Sequence, residues 1–338
     1  MRRPVPVLYY HRIGAPDPIH LSIPTRLFAA QMRFLARHGW KTLTMRELID
    51  HVTGAAPAAP RSVAITFDDG FRDNLTEAMP VLRNNGQRAT VFAAGALLRP
   101  DSGLPAPLLR DFTTAHTAAR FGDRGDFLSA SELDQMRDAG IETHSHGWNH
   151  AQAFNGSRIT GFYPETDHHW AILTAWRGVM DIARLPVFPR KPGLVTNAWI
   201  PKKEVFQRLA ESQDPILAIG NELPREYFDI ESDAQRGQRV RDDLLRSKQT
   251  FERWHEPGCD VFCWPWGASD PTTRRLAAEI GYTGALSTST GANLPGIDRF
   301  AIHRFPVKKA DMTRFVLGLL LRAHPIFSRV YGFIHGCI

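Results

Sequence analysis

Cysteine is scarce in this chain of 338 residues. Its three cysteines, Cys259, Cys263 and Cys337, are too few and odd in number to form a disulfide framework. A small secreted domain held together by disulfides is therefore excluded. The length and the 43% hydrophobic content instead allow a sizeable core, in one large domain or two smaller ones.

Long apolar runs are missing as well. No segment reaches the roughly 18 consecutive apolar residues that a membrane-spanning helix requires. The first residues, MRRPVPVLYYHRIG, begin with two arginines after Met1 but contain no secretory apolar segment, because Pro4 and Pro6 interrupt a short run that ends at His11. We therefore expect the mature chain to begin here and to lie in the cytoplasm.

The net charge of +6 is not accompanied by a nucleic-acid-binding pattern. No run of basic residues is interleaved with aromatic residues, so a nucleic-acid partner is not expected. An excess of basic residues also suits an anionic substrate or an anionic membrane surface. Most often such residues simply lie on the solvated surface of the protein.

Short apolar runs alternate with helical patterns along most of the chain. Strands are predicted in VPVLYYHRI, SVAITFDDG, RATVFAAG and IETHSHG, and later in DVFCWPWG, YTGALSTST and FAIHRFPV. Helices are predicted between them, such as SASELDQMRDAG, which has a capping box at its start and glycine at its end. This alternation predicts an α/β fold with a parallel sheet covered by helices.

Polar residues gather where the predicted strands end. In parallel α/β folds the carboxyl ends of the strands meet at one edge, and the chemistry lies there. One site is therefore predicted at that edge. Its candidate residues are His11, Asp68, Asp69, His146, Trp148, His150, Trp264, Trp266, His303 and Arg304.

The histidines in ETHSHGWNH suit a metal site. His146 and His150 are four residues apart, so one turn or loop could direct both imidazoles at one ion. Two histidines and one carboxylate, from Asp69 or Asp68, make a good ligand set for a divalent metal of the zinc type. The cation would relieve the repulsion between the adjacent carboxylates and leave one of them as a general base.

At these residues the sequence resembles the polysaccharide deacetylases with NodB homology, carbohydrate esterase family four. TFDDG and ETHSHGWNH resemble the first two motifs of that family, and VFCWPWG and IHRFPV resemble its third and last motifs. The resemblance covers roughly residues 1–150 and 240–310. It implies a distorted (β/α) barrel of about seven parallel strands.

We expect this barrel domain to occupy residues 1–310. A large insertion at about 151–238 interrupts it, because the strand–helix rhythm fails there. Helices are expected within this insertion only near His169–Ile182 and Lys203–Ser212. An apolar helical segment follows at 311–338 and could lie in a membrane interface as an amphipathic element.

The resemblance also implies residue roles. Asp68 would be the general base, and the metal ligands would be Asp69, His146 and His150. Many members pair the base with an arginine of the third motif, but Cys263 stands at that place, so Arg304 is the candidate partner of Asp68. A general acid is expected from His303, which is close to the usual histidine of the last motif, or from His11.

The expected function is metal-dependent removal of an N-acetyl group from an amino sugar, with zinc as the metal. Trp266, Trp264 and Trp148 lie beside the motifs, and aromatic faces suit the apolar faces of sugar rings. The basic charge and the apolar C-terminal segment favour a lipid-phosphate-linked or nucleotide-linked sugar at the cytoplasmic side of the membrane, with peripheral contact to the inner membrane surface.

Two other functions are compatible with the same residues. The metal site could hydrolyse a non-sugar amide, such as a ureide or a cyclic imide. A non-catalytic carbohydrate-binding barrel is the second alternative, and it predicts that Asp68 can be replaced without loss of function.

Overall fold

The computed structural model describes residues 3–14, 21–99, 127–163, 175, 184–307 and 311–325. The α-helices in these ranges are α1 (Thr25–Arg37), α2 (Met45–Thr53), α3 (Met79–Asn84), α4 (Ala130–Asp138), α5 (Lys203–Ser212), α6 (Asp233–Phe251), α7 (Pro271–Ile280) and α8 (Met312–Ala323). None of these helices is long and apolar enough to cross a membrane.

The strands of the described residues belong to one large sheet and several small ones. In chain order they are β1 (Val7–Tyr10), β2 (Arg12–Ile13), β3 (Ser22–Ile23), β4 (Lys41–Thr42), β5 (Ser62–Phe67), β6 (Thr90–Ala93), β7 (Glu142–Ser145), β8 (Gln152–Phe154), β9 (Gly161–Phe162), β10 (Pro186–Val187), β11 (Arg190–Pro192), β12 (Trp199–Pro201), β13 (Phe228–Ile230), β14 (Val261–Cys263), β15 (Gly284–Leu286) and β16 (Phe305–Pro306).

The large sheet is parallel and curls into a distorted barrel. Seven strands follow the order β15-β14-β7-β6-β5-β1-β16, and β4 pairs with β5 beside this path. The segment leading into β16 joins the two ends, because Ile302 pairs with Leu286 of β15 and Phe305 pairs with Leu8 of β1. The predicted barrel of about seven parallel strands is confirmed.

Alternate residues of each barrel strand enter two different cores. Leu8 and Ile65 pack in a cluster with Phe28 of α1, whereas Val7 and Ala64 pack in a second cluster with Phe92. Successive side chains of a strand point to opposite faces, so the two clusters cover the two faces of the sheet. All six residues of β5 are buried for this reason.

Several predicted strands end earlier than the sequence pattern suggested. The strand in DVFCWPWG stops at Cys263, because Pro265 has no amide donor and both Trp266 and Gly267 have positive φ angles, of 62° and 72°. In FAIHRFPV only Phe305–Pro306 is a strand. The prediction for β5 also ran too far, since Asp68 and Asp69 follow the strand and do not belong to it.

Helix α6 begins earlier than predicted. The pattern RVRDDLLRSKQTFERWHEPG predicts a helix from Arg239, but Ser232 and Gln235 form a capping box that starts the helix at Asp233. This capping signal is present in the sequence and was overlooked.

In its described residues, the expected insertion contains three two-stranded antiparallel sheets and α5. Strand β8 pairs with β11, β9 with β10, and β12 with β13. They surround an aromatic core that includes Phe154, Phe188, Phe206 and Phe228. The helix predicted near 169–182 falls outside the described residues except at Ala175, as does 326–338 of the C-terminal segment, and the domain bounds stay a prediction.

Gly267 turns the chain at the mouth of the barrel where no side chain fits. A Cβ added there would lie 1.8 Å from Thr288 Oγ1. We expect Gly267→Ala to lower the free energy of unfolding by the cost of a left-handed residue, about 1 kcal/mol, and by a further ~1–3 kcal/mol for overpacking. Urea denaturation measures the change.

Gly86→Ala is the matched control for this prediction. Gly86 also has a positive φ, of 63°, but a Cβ there would meet nothing within 4 Å. If the two variants lose equal stability, the close approach of Gly267 to Thr288 is refuted.

Candidate active site

Asp68 follows β5 directly and is held by Arg304. Its main-chain N–H donates to the Tyr10 carbonyl oxygen over 2.9 Å. Arg304 donates from Nη1 to Asp68 Oδ1 (2.6 Å) and from Nη2 to Oδ2 (2.8 Å), while its Nε donates to the Ser287 carbonyl oxygen. The two bonds make a bidentate ion pair, and it lies inside the protein because both side chains are almost fully buried. The predicted contact between Arg304 and Asp68 is therefore present.

This ion pair keeps the Asp68 carboxyl charged. Burial alone would raise its pKa, but the adjacent Arg304 guanidinium more than compensates and holds the pKa of Asp68 well below its usual range. Cys263, at the place where the family motif often has arginine, lies with its Sγ 3.7 Å from Asp68 Oδ1. Burial raises the pKa of this thiol, so it remains protonated beside the carboxylate.

Asp69, His146 and His150 converge on one point. The Nε2 atoms of His146 and His150 lie 3.6 Å and 3.5 Å from Asp69 Oδ1. That oxygen is buried and has no hydrogen-bond partner among the described residues. His146 Nδ1 lies 2.8 Å from the Cys263 carbonyl oxygen, which favours the tautomer that leaves Nε2 facing Asp69.

The protonation states of these three side chains suit cation binding. Burial lowers the pKa of both His146 and His150, so they are neutral imidazoles, the form that binds metals. Burial and the charge of Asp68 raise the pKa of Asp69. A divalent cation would compensate the negative charge that opposes ionisation of Asp69, and the donor set fits zinc.

Left-handed backbone conformations orient two of these three side chains. Asp69 and His150 have φ angles of 71° and 50°, in the left-handed region that side chains other than glycine rarely adopt. Gly70 continues the turn at φ 80°, and a Cβ there would lie only 2.7 Å from Ala93 Cβ. The Asp-Asp-Gly sequence is thus required by geometry as well as by charge.

Asp243 of α6 supports the loop between the histidines, and sequence reasoning missed it. Its Oδ1 accepts a hydrogen bond from the Trp148 main-chain N–H over 3.0 Å. Burial raises the pKa of Asp243 to about 6, although main-chain N–H groups and two arginines oppose the rise. Asp243 and Trp148 are 95 positions apart in the sequence. In the sequence Asp243 resembles any charged residue on a helix surface, so no signal identified it.

The three tryptophans occupy different environments. The ring of Trp148 is buried between Gly95, where a Cβ would lie 2.6 Å away, and the Arg246 guanidinium, 3.7 Å from its centroid. Trp264 is fully buried and donates to the Phe300 carbonyl oxygen. A substrate cannot stack on these two rings, contrary to expectation. Trp266 is 38% exposed and lies 4.8 Å from the His150 ring, at the rim of the site.

The two candidate acids are placed differently. His11 lies close enough that its charge would lower the pKa of both Asp68 and His150. His303 has its Nδ1 2.9 Å from Ser289 Oγ and its ring against Gly291. The pKa of His303 is lowered by burial. Arg304, its neighbour, is the residue that faces Asp68.

Comparisons with known proteins identify relatives of this chain. The family model for polysaccharide deacetylase matches residues 55–285. YxkH of Bacillus subtilis (strain 168), whose name places it among the polysaccharide deacetylases, is 38% identical over 91 residues, 27% of this chain and 32% of that protein. The poly-beta-1,6-N-acetyl-D-glucosamine N-deacetylase of Escherichia coli (strain K12) is 21% identical over 304 residues, 87% of this chain and 36% of that protein. The chain spans about a third of the length of these relatives.

A solved structure has the same fold. The Streptococcus pyogenes deacetylase PplD, in complex with acetate, superimposes with a TM-score of 0.60 and 15% sequence identity. The match covers 96% of this chain and 100% of that chain. At this identity the likeness establishes the fold alone.

The ion pair of Asp68 and Arg304 makes a prediction about stability. Arg304→Met leaves a buried carboxylate without its partner, so we expect a loss of about 3–5 kcal/mol in the free energy of unfolding. The double variant Asp68→Asn/Arg304→Met should recover most of this loss. Urea denaturation of the four proteins, as a double-mutant cycle, measures the coupling.

The pH dependence gives the control for this cycle. In Arg304→Met the pKa of Asp68 rises above its unfolded value, so the variant should regain stability relative to wild type as the pH falls and Asp68 takes a proton. A deficit that is independent of pH and persists in the double variant would contradict a charge-based account.

Proposed function

The chain belongs to the polysaccharide deacetylase family, and we propose that it is an N-deacetylase that hydrolyses the N-acetyl group of an amino-sugar residue. This proposal rests on the different surroundings of the two adjacent carboxylates that follow β5. One buried carboxylate, Asp68, is held ionised by Arg304, while its neighbour Asp69 faces two neutral imidazoles.

Asp69, His146 and His150 would hold a divalent cation, which we propose is zinc. When bound, it would supply a Lewis acid for the amide carbonyl oxygen and for water. The tautomer of His146 favoured by the Cys263 carbonyl and the left-handed turns at Asp69 and His150 orient the three donors for this purpose.

Asp68 acts as the general base. It takes a proton from the water molecule whose oxygen adds to the acetyl carbon. Arg304 keeps Asp68 ionised and fixes its plane through both carboxylate oxygens. Breaking the carbon–nitrogen bond then yields acetate and the amine, once the leaving nitrogen has received a proton.

We assign the general acid to His11. Its charge would lower the pKa of both Asp68 and His150, which supports a position beside these residues and a role as proton donor to the leaving amine. His303 has a hydroxyl partner in Ser289 and neighbours the residue that faces Asp68, and it is the second candidate.

The relatives and the rim of the site support the proposed substrate class. The E. coli relative deacetylates poly-beta-1,6-N-acetyl-D-glucosamine according to its name, which supports an N-acetylated hexosamine as the unit that enters this site. The exposed Trp266 beside His150 offers a face for a sugar ring. A lipid-phosphate or nucleotide carrier and a cytoplasmic location stay predictions from the sequence.

Peripheral membrane contact is a second proposal, supported by α8. Leu317 and Leu320 are 57% and 51% exposed and lie three residues apart on one face of the helix. A neighbouring cavity of about 200 Å³ is lined by Leu320, Arg3 and Arg61. Apolar residues flanked by cations suit the surface of an anionic bilayer.

The catalytic proposal predicts separate effects on activity and on metal content. Asp68→Asn should lower acetate release from N-acetylhexosamine oligomers by roughly 10²–10⁴-fold and leave bound metal unchanged. His150→Ala should lose the metal itself, and chelation of the wild type should abolish activity until zinc is restored. Metal analysis and acetate release over a panel of sugar and non-sugar amides measure both effects.

Asp138→Asn, at an exposed carboxylate, is the matched control and should behave as wild type. An Asp68→Asn variant that releases acetate as fast as wild type would refute the assignment of Asp68 as the base. Product formed only from a non-sugar amide would favour the alternative amidohydrolase. A fully metallated wild type without activity on any substrate would refute the enzyme and favour the carbohydrate-binding barrel.

The membrane proposal predicts co-sedimentation with vesicles. Wild type should bind vesicles that contain phosphatidylglycerol, and Leu317→Glu/Leu320→Glu should bind much more weakly. Leu245→Glu, at a leucine of α6 that is 43% exposed, serves as the control and should bind like wild type. Equal sedimentation of all three proteins would contradict a role for α8.

A further inference from the structure

Asp73 and Asn74, a few positions after Asp68 and Asp69, hold the segment of chain that carries His11. Asn74 Nδ2 donates to the His11 carbonyl oxygen over 2.8 Å. Asp73 accepts from the main-chain N–H of Ile13 at Oδ1 (3.0 Å) and from Arg12 Nε at Oδ2 (2.8 Å). Two side chains thus hold three consecutive residues between β1 and α1.

These contacts are buried and mutually dependent. Asn74 is fully buried, and its Nδ2 also lies 3.2 Å from Asp73 Oδ1. Arg12, held by Asp73, lies with its guanidinium 4.8 Å from the ring centroid of Phe71. A buried amide–carbonyl bond that is lost leaves a polar group without a partner, so the contact constrains the peptide strongly.

The backbone that begins at Asn74 has an unusual helical conformation. A π-helical turn runs over Asn74–Ala78 before α3 begins. Such widened turns are rare and occur frequently at functional sites. The turn starts at Asn74, the residue whose amide bonds to His11.

His11 needs this support because it lies between two strands. Strand β1 ends at Tyr10 and β2 begins at Arg12, so His11 itself belongs to neither ladder. A general acid must lie within hydrogen-bond reach of the atom that it protonates. The Asn74 bond fixes the peptide from which the His11 side chain projects.

We propose that Asn74, supported by Asp73, is a positioning residue for the general acid His11, an inference that rests on the proposed function. One short stretch of chain would then supply the base Asp68, the ligand Asp69 and the support of the acid. A shift of the imidazole by about 1 Å is enough to cost on the order of 100-fold in rate.

The chain offers a matched comparison for this role. Asn293 is also buried and holds the other candidate acid, because its Oδ1 accepts from the His303 N–H (2.9 Å) and its Nδ2 donates to the His303 carbonyl oxygen (2.8 Å). Asn74→Leu and Asn293→Leu therefore remove similar bonds from two different histidines.

Two substrates separate acid catalysis from general damage. The amine of an N-acetylglucosamine oligomer must be protonated as it leaves, whereas the 4-nitrophenolate of 4-nitrophenyl acetate leaves without a proton. We expect Asn74→Leu to lower kcat for the oligomer by roughly 100-fold, with little change in the ester rate, KM or metal content. His11→Ala should show the same selective loss, and Asn74→Leu should add nothing in the His11→Ala background.

Each outcome decides the proposal. Equal losses on both substrates, lost metal or an unchanged amide rate in Asn74→Leu would overturn it, and a selective loss in Asn293→Leu alone would transfer the role to His303. If Asn74→Leu does not fold, Asn74→Ala is measured in the same way. A wild type that hydrolyses neither substrate, or an Asp68→Asn variant active on both, would refute the proposed function instead.

Discussion

Arg304 and Asp68 bury opposite charges against each other at the mouth of the barrel. Removing them from water is costly, and the attraction repays that cost only because both guanidinium–carboxylate bonds are short and Arg304 also donates to the Ser287 carbonyl oxygen. Ser287 follows β15, Asp68 follows β5 and Arg304 precedes β16, so these contacts tie together strands from both ends of the sheet path. The closure of the barrel and the charge of the base depend on the same guanidinium.

Asp68, paired with Arg304, and its neighbour Asp69 have pKa values that shift in opposite directions. Burial and the charge of Asp68 raise the pKa of Asp69, and Arg304, which is bound to Asp68, opposes this rise only in part. The left-handed turns at Asp69 and His150 bring that carboxylate to two imidazoles that burial keeps neutral. This arrangement fits the proposed divalent cation at Asp69, next to a carboxylate, Asp68, whose charge Arg304 already compensates.

The sequence predicted the parts of this structure that rest on local patterns. Alternating strands and helices indicated the parallel α/β sheet, and the family resemblance implied its closure into a distorted barrel. The spacing of His146 and His150 indicated that both imidazoles approach one point. The contact of Arg304 with Asp68 was predicted because the third motif lacks its arginine. Residues that act through distant contacts were not found, since Asp243 lies 95 positions from Trp148 and Asn74 reads as a turn residue. The burial of Trp264 was also missed, because a motif shows proximity along the chain and not the direction of a side chain.

Cys263 has a consequence for recognising related enzymes. A thiol occupies the place where the family motif often has arginine, while the guanidinium reaches the same carboxylate from a segment 41 positions further along the chain, at Arg304. A search that demands arginine inside the third motif would discard this chain as inactive. In this chain a cation contacts Asp68 from outside the third motif, so family members that lack the motif arginine should be examined in three dimensions before they are classed as inactive.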